Sequence, residues 1–563
     1  MALLLKKIKR YLRAKFRSDL SAGLTVAMVV IPQSMAYAAI VGINPIYGLF
    51  TAIIPTIIAA IFGNFPFLII GPTNPSALVT ASVLLPYASR QDYFEFVVAL
   101  AVFSGIVNIF FGLFKLGFLA RYISNSVLVG FLTAVGVLVI SYQLGNLLGL
   151  QLSREGGLWG TITQMLTNIS KVNLYTLLVS FLSMGIMLLV RSINKKLPAA
   201  LITIIIASLF VFLTGWSGDQ NVRIVSDMGL PENITLGFNL PNIPLSEFTS
   251  LALSGAAVAL FSFMESVSIA KPMSQMSGMP FNPSKQMIGQ GLASFVGGFF
   301  QCMPSSGSPS RTVINVVNGA KTRFAAIFSG LSVLIFLLIF SGLIGYIPTP
   351  ALAAVVVVSA AGLINIHLIK LTWQSRLQSG IVMGITFLSS LLLPLQYAIY
   401  LGILSTILIY LGESSRVILS YLVVDEDGHF QELPIEKIKS QDSKIVIVNI
   451  EGDLYFAAVE DLKNQIDSIL ETDLKILILR FRRTHLLGST GIMALDQLIQ
   501  SARKKGVRVM FCGVQDDIHN PLKDAGLTEI LGESSIFLAE DQLFSSTQRA
   551  LKKAREIVEN QQS

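Results

Sequence analysis

From Leu20 to Ser89 the chain contains no Asp, Glu, Lys or Arg. A run this long and this apolar reads as membrane-embedded, and in a bilayer every backbone N–H and C=O needs a partner within the protein, which only helices and closed barrels supply. With about 20 apolar residues per crossing, the run reads as consecutive helices. Inside it lies GPTNPSALVT, Gly71 to Thr80, where two prolines, a glycine and an asparagine interrupt the helix. Such a break is tolerated only where it faces protein or a water-filled cavity. The interruption therefore points to function.

The rest of the chain extends the pattern. Only 13% of its 563 residues are charged, and the mean hydropathy is +0.68, against about 25% charged in soluble domains. Ordinary charge density returns beyond Gly412, where KIVIVNI, KILILRF and VRVMFCG read as short buried strands between helices. The expected organisation is a polytopic helical membrane domain over 20–412, preceded by an N-terminal segment 1–19 and followed by a cytoplasmic α/β domain over 421–563. The basic opening MALLLKKIKRYLRAKFRSDL reads as amphipathic and lying on the cytoplasmic membrane surface against lipid, with no cleavable signal. Two cysteines, Cys302 and Cys512, make no disulfide framework, and four scattered histidines offer no metal-ligand spacing. No cofactor is expected. The net charge of +8 is explained by basic loops on one side of the membrane rather than by nucleic acid.

Apolar segments fall near 20–42, 46–63, 73–88, 93–114, 122–150, 173–191 and 198–216, then near 251–270, 284–301, 309–320, 323–345, 348–366, 376–394 and 397–412. With the N-terminus in the cytoplasm, Lys115/Arg121, Arg191/Lys195/Lys196, Lys271, Lys321/Arg323 and Lys370/Arg376 all lie inside. The loop 217–250, with Asp219, Asp227, Glu232 and Glu247 against the single Arg223, lies outside. This is the positive-inside pattern. It fits a multi-pass protein of the cell inner (plasma) membrane with both termini cytoplasmic.

Seven spans followed by seven gives two halves, about 20–216 and 251–412, of opposite orientation. The third span of each is short and opens on a Gly/Pro break, GPTNPSALVT in the first and PSSGSPSRTVINV in the second. Paired interruptions at corresponding positions are the sequence mark of a transporter's midplane site. They imply two half-helices whose N-termini, with free N–H groups and positive dipole ends, converge on an anion.

Polar residues in the neighbouring spans complete the candidate site. In IPQSMAYA, Gln33 and Tyr37 are four apart on one helix face and can donate to an anion, although Gln33 can equally bond a neighbouring helix. Glu265, in ALFSFMESVSIAK, is the one carboxylate deep within an expected span. Three roles are open to it: proton carrier, cation ligand, or structural partner of Arg311. Arg311, in SPSR, is the cation placed to add a full charge to the site, or else to snorkel to an aqueous surface. The chain has no P-loop, no HExxH and no catalytic Ser/His/Asp order, so no enzyme activity is expected.

The run IPQSMAYAAIVGINPIYGLFTAIIPTIIAAIFG, then GPTNPSALV, MESVSIAK, GQGLASFVGGFF and MPSSGSPSRTVINVVNGAKT, resembles the SulP family of anion transporters, called solute carrier family 26 in animals. The resemblance implies two inverted seven-span repeats forming core and gate domains, and elevator-type transport in homodimers. It makes Gln33 and Tyr37 first-helix substrate contacts, and places Thr73, Asn74 and Ser76 on the third-span half-helix. Glu265 becomes the acidic residue of the eighth span, and Ser310 and Arg311 the SxSR pair of the tenth. Asn74 and Pro75 stand where the family often has small residues. The soluble tail resembles the family's STAS domain, where GSTG has Gly488 in place of the Asp of phosphorylated relatives. Thr490 is thereby a weak regulatory phosphosite, and Ser489 or Thr490 reads as a helix N-cap. The expected substrate is sulfate, driven by a proton or sodium gradient. Bicarbonate or dicarboxylate transport is the alternative, as is an anion channel or sensor signalling through the STAS domain.

Overall fold

Asn44 and Pro45 show how this chain starts its helices. The Asn44 carboxamide accepts from Ile46 N–H at 3.1 Å, and Pro45 occupies the first helical turn, where no donor is needed. The same Ser/Thr/Asn-plus-proline device recurs at both broken spans. The computed structural model describes residues 11–121, 124–152, 157–194, 197–219, 221–228, 237–414, 417–425, 429–435, 444–454, 459–484, 486–542 and 544–560. Residues 1–10 of the expected N-terminal surface segment, Lys195, Lys196, Glu232 and His485 lie outside these.

The first half comprises α1 (Phe16–Val41), α2 (Pro45–Phe62), β1 (Ile70–Gly71), α3 (Asn74–Val83), α4 (Tyr93–Leu113), α5 (Asn125–Leu148), α6 (Gly157–Thr167), α7 (Leu174–Ile193) and α8 (Ala199–Thr214). The second comprises α9 (Phe248–Ser277), α10 (Pro283–Phe299), β2 (Ser306–Gly307), α11 (Pro309–Val317), α12 (Phe324–Ile344), α13 (Thr349–Ala361), α14 (Ile366–Ser375), α15 (Leu377–Leu392) and α16 (Leu395–Ser414). A helix stands at each of the fourteen expected segments, and α6 and α14 are additional. Among the described residues nine helices are long and apolar enough to cross a membrane, and α8 and α15 are shorter apolar helices. Phe212, Leu213 and Leu338 are more than half exposed, which suits a lipid-facing surface and not a wet one. The chain is a multi-pass membrane protein.

Two boundaries differ from expectation. Helix α9 runs on through Lys271 and Pro272 to Ser277 instead of ending near 270, and closes on Gly278 in the left-handed conformation, so the apolar pattern stops before the helix does. Helix α1 begins at Phe16, and Asp19 within it is fully buried. Asp19 accepts from the backbone N–H of Lys321 at 2.6 Å and Thr322 at 3.0 Å, and from the Thr322 hydroxyl at 2.5 Å. The carboxylate thus fastens the start of α1 to the turn before α12.

The packing carries the inverted repeat. Helix α1 packs on α12 as α9 packs on α4; α2 packs on α12 as α10 does on α4. Helix α5 packs on α15 as α13 does on α7, and α1 touches α11 as α9 touches α3. Exchanging the halves maps each contact onto its counterpart. The contacts also sort the helices into two groups, α1–α4 with α9–α12, and α5, α7 and α8 with α13 and α15. They meet mainly where α1 touches α8 and α13, and where α3 touches α5.

The residues Ile407–Ser563 form a second unit. Its six-stranded sheet has the order β4-β3-β5-β6-β7-β8, with β3 (Ile418–Val424), β4 (Phe430–Pro434), β5 (Ile445–Glu451), β6 (Ile476–Arg483), β7 (Arg508–Val514) and β8 (Ile536–Leu538). Strands β5 to β8 are parallel, and the antiparallel β3 and β4 complete one edge. The three strands expected from KIVIVNI, KILILRF and VRVMFCG are the central ones. They read clearly because a parallel strand covered on both faces is a continuous apolar run.

Candidate functional site

Strands β1 and β2 pair antiparallel, Ile70 with Gly307 and Gly71 with Ser306. This short bridge gives the interrupted backbone its hydrogen bonds, which a break inside the membrane requires. Each chain then enters a half-helix within a few residues, so the N-termini of α3 and α11 face the same region. Side chains from α11 lock the crossing: Thr312 accepts from Ile69 N–H at 3.1 Å, and Asn315 donates to the Phe67 carbonyl at 3.0 Å.

The two helix ends use their donors in the same way. Beyond the N-cap residue's own N–H, each leaves three N–H positions without an intrahelical acceptor. In α3 these are Asn74, Pro75 and Ser76. Proline has no N–H, and Ser76 N–H is taken by the Thr73 hydroxyl at 3.2 Å. In α11 they are Pro309, Ser310 and Arg311, and Arg311 N–H points to the Ser308 hydroxyl at 3.5 Å. One main-chain donor remains at each end, Asn74 and Ser310. The convergence of helix ends agrees with the sequence reading, but its free donors are fewer, because prolines and hydroxyl caps consume the rest.

Arg311 is fully buried and does not snorkel to an aqueous surface. Its Nη2 donates to the Pro72 carbonyl at the mouth of the other half-helix. Its Nε and Nη1 have no hydrogen-bond partner. Gly71 lets the guanidinium come close, since a Cβ would stand 3.0 Å from Arg311 Nη1 and 3.2 Å from Thr56 Oγ1 and press on both. Ser310, next in sequence, is exposed, and its hydroxyl lies 3.4 Å from that of Ser308.

Glu265, on α9, is buried beneath the crossing. Its Oε2 accepts from Thr73 Oγ1 at 3.1 Å and from Ser306 Oγ at 2.5 Å, and those two hydroxyls are 2.7 Å apart. The carboxyl therefore touches the cap of one half-helix and the strand leading into the other. No ion pair joins it to Arg311 among the described residues. Ser76 donates to the Pro304 carbonyl at 3.1 Å, another cross-link between the broken spans.

Gln33 and Tyr37 are buried on α1, the helix that packs against both α3 and α11. Gln33 Oε1 and both polar atoms of the Asn74 side chain are buried with no partner. Unpaired buried polar atoms are costly in a folded protein. Here they lie on the elements that converge with the two free nitrogens of Arg311; Asn74 Nδ2 and Arg311 Nε and Nη1 are the donors among them, which suits a small anion. Sequence reasoning missed Ser306 and Ser308, whose signal was the hydroxyl-rich run PSSGSPSR itself.

Thr490 stands apart, in the second unit, exposed in the first turn of α17 (Ser489–Lys504). The N-cap there is Gly488, with no side-chain cap hydrogen bond. The expectation that Ser489 or Thr490 caps the helix is thus corrected: the loop reaches helical geometry one residue earlier.

The family model described as the sulfate permease family matches residues 16–386, and that of the STAS domain matches residues 436–549. The putative sulfate transporter YvdB of Bacillus subtilis (strain 168) is 25% identical, over 95% of this chain and 99% of its own. The solved murine Slc26a9 anion transporter, in its inward-facing state, superposes with a TM-score of 0.87 at 19% identity, over 97% of this chain and 92% of its own. The transmembrane domain of the cyanobacterium bicarbonate transporter BicA gives a TM-score of 0.60 at 21% identity, over 69% of this chain and 97% of its own. These two likenesses are of fold.

Proposed function

Because this chain belongs to the sulfate permease family and carries a STAS domain, we propose that it is a secondary active transporter of a small anion, sulfate first, held at the crossing of α3 and α11. The observation that carries the reading is Arg311, a fully buried guanidinium at that crossing with Nε and Nη1 unpaired. An anion there satisfies both nitrogens and meets the remaining N–H donors of Asn74 and Ser310. Gln33, Tyr37, Thr73, Asn74, Ser76, Ser310 and Arg311 form the binding set. The choice of sulfate rests on relatives such as YvdB, named a putative sulfate transporter.

Every one of these residues lies on α1, α3 or α11 or, for Thr73, at the N-cap of α3, within one of the two helix groups. That supports elevator-type alternating access, in which the group carrying the site slides as a body against the other. Glu265 is the coupling residue. The triangle of Glu265 Oε2, Thr73 Oγ1 and Ser306 Oγ has three short edges, and two hydroxyls supply two protons. A proton on Glu265 supplies the third, so the ring closes fully in the proton-loaded form. A sodium ion bound to the same oxygens is the other way to fill it. The protein works as a homodimer in the cell inner (plasma) membrane, with N- and C-termini cytoplasmic as the basic loops require.

The test is uptake into proteoliposomes of labelled sulfate, bicarbonate, chloride and a dicarboxylate, with and without pH and Na⁺ gradients. Saturable, gradient-accelerated accumulation of one of them supports the reading. Uptake that never exceeds the equilibrium set by the anion's own gradient and the membrane potential means a channel, and uptake of none overturns transport.

A further inference from the structure

The loop over 217–250 is acidic, yet its single cation, Arg223, belongs to a cavity. This cavity, of about 380 Å³, lies between α1, α5 and α13, and its lining includes Gln143, Asn146, Gln151, Arg223 and Thr349. No carboxylate lines it among the described residues. Glu247 accepts from the Tyr87 hydroxyl at 2.7 Å, and Asp227 is held within the turn itself, accepting from Ile224 N–H at 2.9 Å. The Arg223 guanidinium joins no ion pair among the described residues.

The backbone around Arg223 is fixed independently of its side chain. The Arg223 carbonyl accepts from Thr349 N–H at 2.9 Å, and Val225 N–H donates to the Ile347 carbonyl at 2.9 Å. Ile224 bridges Pro348. A rigid turn thus presents one guanidinium beside three carboxamides, with no carboxylate among the described lining residues; Asn146 Nδ2 spends one N–H on Gln143 Oε1 at 2.9 Å and keeps the other for an anion. The same pocket is walled by Ala36 and Ala39 of α1, one turn beyond Gln33. Two small side chains there leave space along the helix that carries the central site.

We propose that this cavity is a second anion site, separate from the crossing of the half-helices, in which Arg223 with Asn146 and Gln151 holds a small anion at the outer face. The inference rests on reading the chain as an anion carrier with the loop 217–250 outside. One cation and neutral amides make it weaker than the central site, a station that raises the local anion concentration beside α1.

The test is protection from labelling. A cysteine at the lining position, Leu152→Cys, is reacted with a neutral maleimide in the full-length protein; Cys302 and Cys512 are both buried. Sulfate, bicarbonate and chloride are each titrated as protectants. One of them is expected to slow labelling with saturation. Adding Arg223→Gln should raise the half-protecting concentration about tenfold, as for a lost charge-assisted bond, and Arg223→Lys should restore most of it. Protection should survive Arg311→Ala, which empties only the central site. Absence of protection by all three anions, or protection unchanged by Arg223→Gln, overturns the proposal. Protection abolished by Arg311→Ala also overturns it, since labelling would then report the central site. Uptake of the same anions by the wild-type protein separates this failure from failure of the transport reading.

Discussion

At Glu265 the hydrogen bonds bear on two of the roles open from sequence. The carboxyl hydrogen-bonds to Thr73 and Ser306 and not to Arg311, so its removal takes no hydrogen bond from the guanidinium. Glu265→Gln keeps an acceptor for one hydroxyl and mimics the proton-loaded ring. Substrate exchange should therefore persist within a few fold, while uptake driven by a pH gradient is lost. Both are read in the same proteoliposomes. A variant that still concentrates substrate under a proton gradient eliminates the proton-carrier role, and one that fails at exchange as well makes Glu265 structural. Gln33, Tyr37, Asn74 and Arg311 were legible in the sequence because a polar residue in a charge-free span needs a reason to be there. Ser306 and Ser308 were not, since a hydroxyl in a loop has many uses and only its partner distinguishes them.

The half-helices were legible as elements because glycine and proline in an apolar run admit few conformations. What the sequence did not reveal was how the breaks are held. The pairing of β1 with β2 joins residues more than two hundred positions apart, and a two-residue strand leaves no periodic pattern to find. Asp19 was hidden for a related reason. It sits at the end of a basic segment that reads as surface, yet it ties α1 to the turn before α12 with three acceptor contacts. Replacing it, Asp19→Ala, leaves two backbone donors without a partner and should cost about 2–3 kcal/mol. A thermal melt of the detergent-solubilised protein should show a lowered midpoint, partly recovered by Asp19→Asn. An unchanged midpoint would mean water replaces the carboxylate fully.

For the whole molecule, domain division and the inverted repeat followed from charge density and from the matched positions of two broken spans. The edge strands β3 and β4 did not: β4, FQELP, is short and largely polar, and β3 falls in the stretch between the last expected span and the first expected strand. All proposed binding residues precede that helix. Ending the chain after Ser414, where α16 closes, should leave anion affinity within about twofold of the full-length value while reducing transport rate or assembly. A folded, monodisperse truncation that cannot bind would extend the site into the STAS domain. The central claim concerns the buried guanidinium, and equilibrium binding of labelled sulfate to purified wild-type and Arg311→Ala protein tests it most directly. Loss of a charge-assisted bond of about 1.5–3 kcal/mol predicts affinity weakened tenfold or more in a variant that stays folded. Equal affinity in the two proteins would contradict the claim.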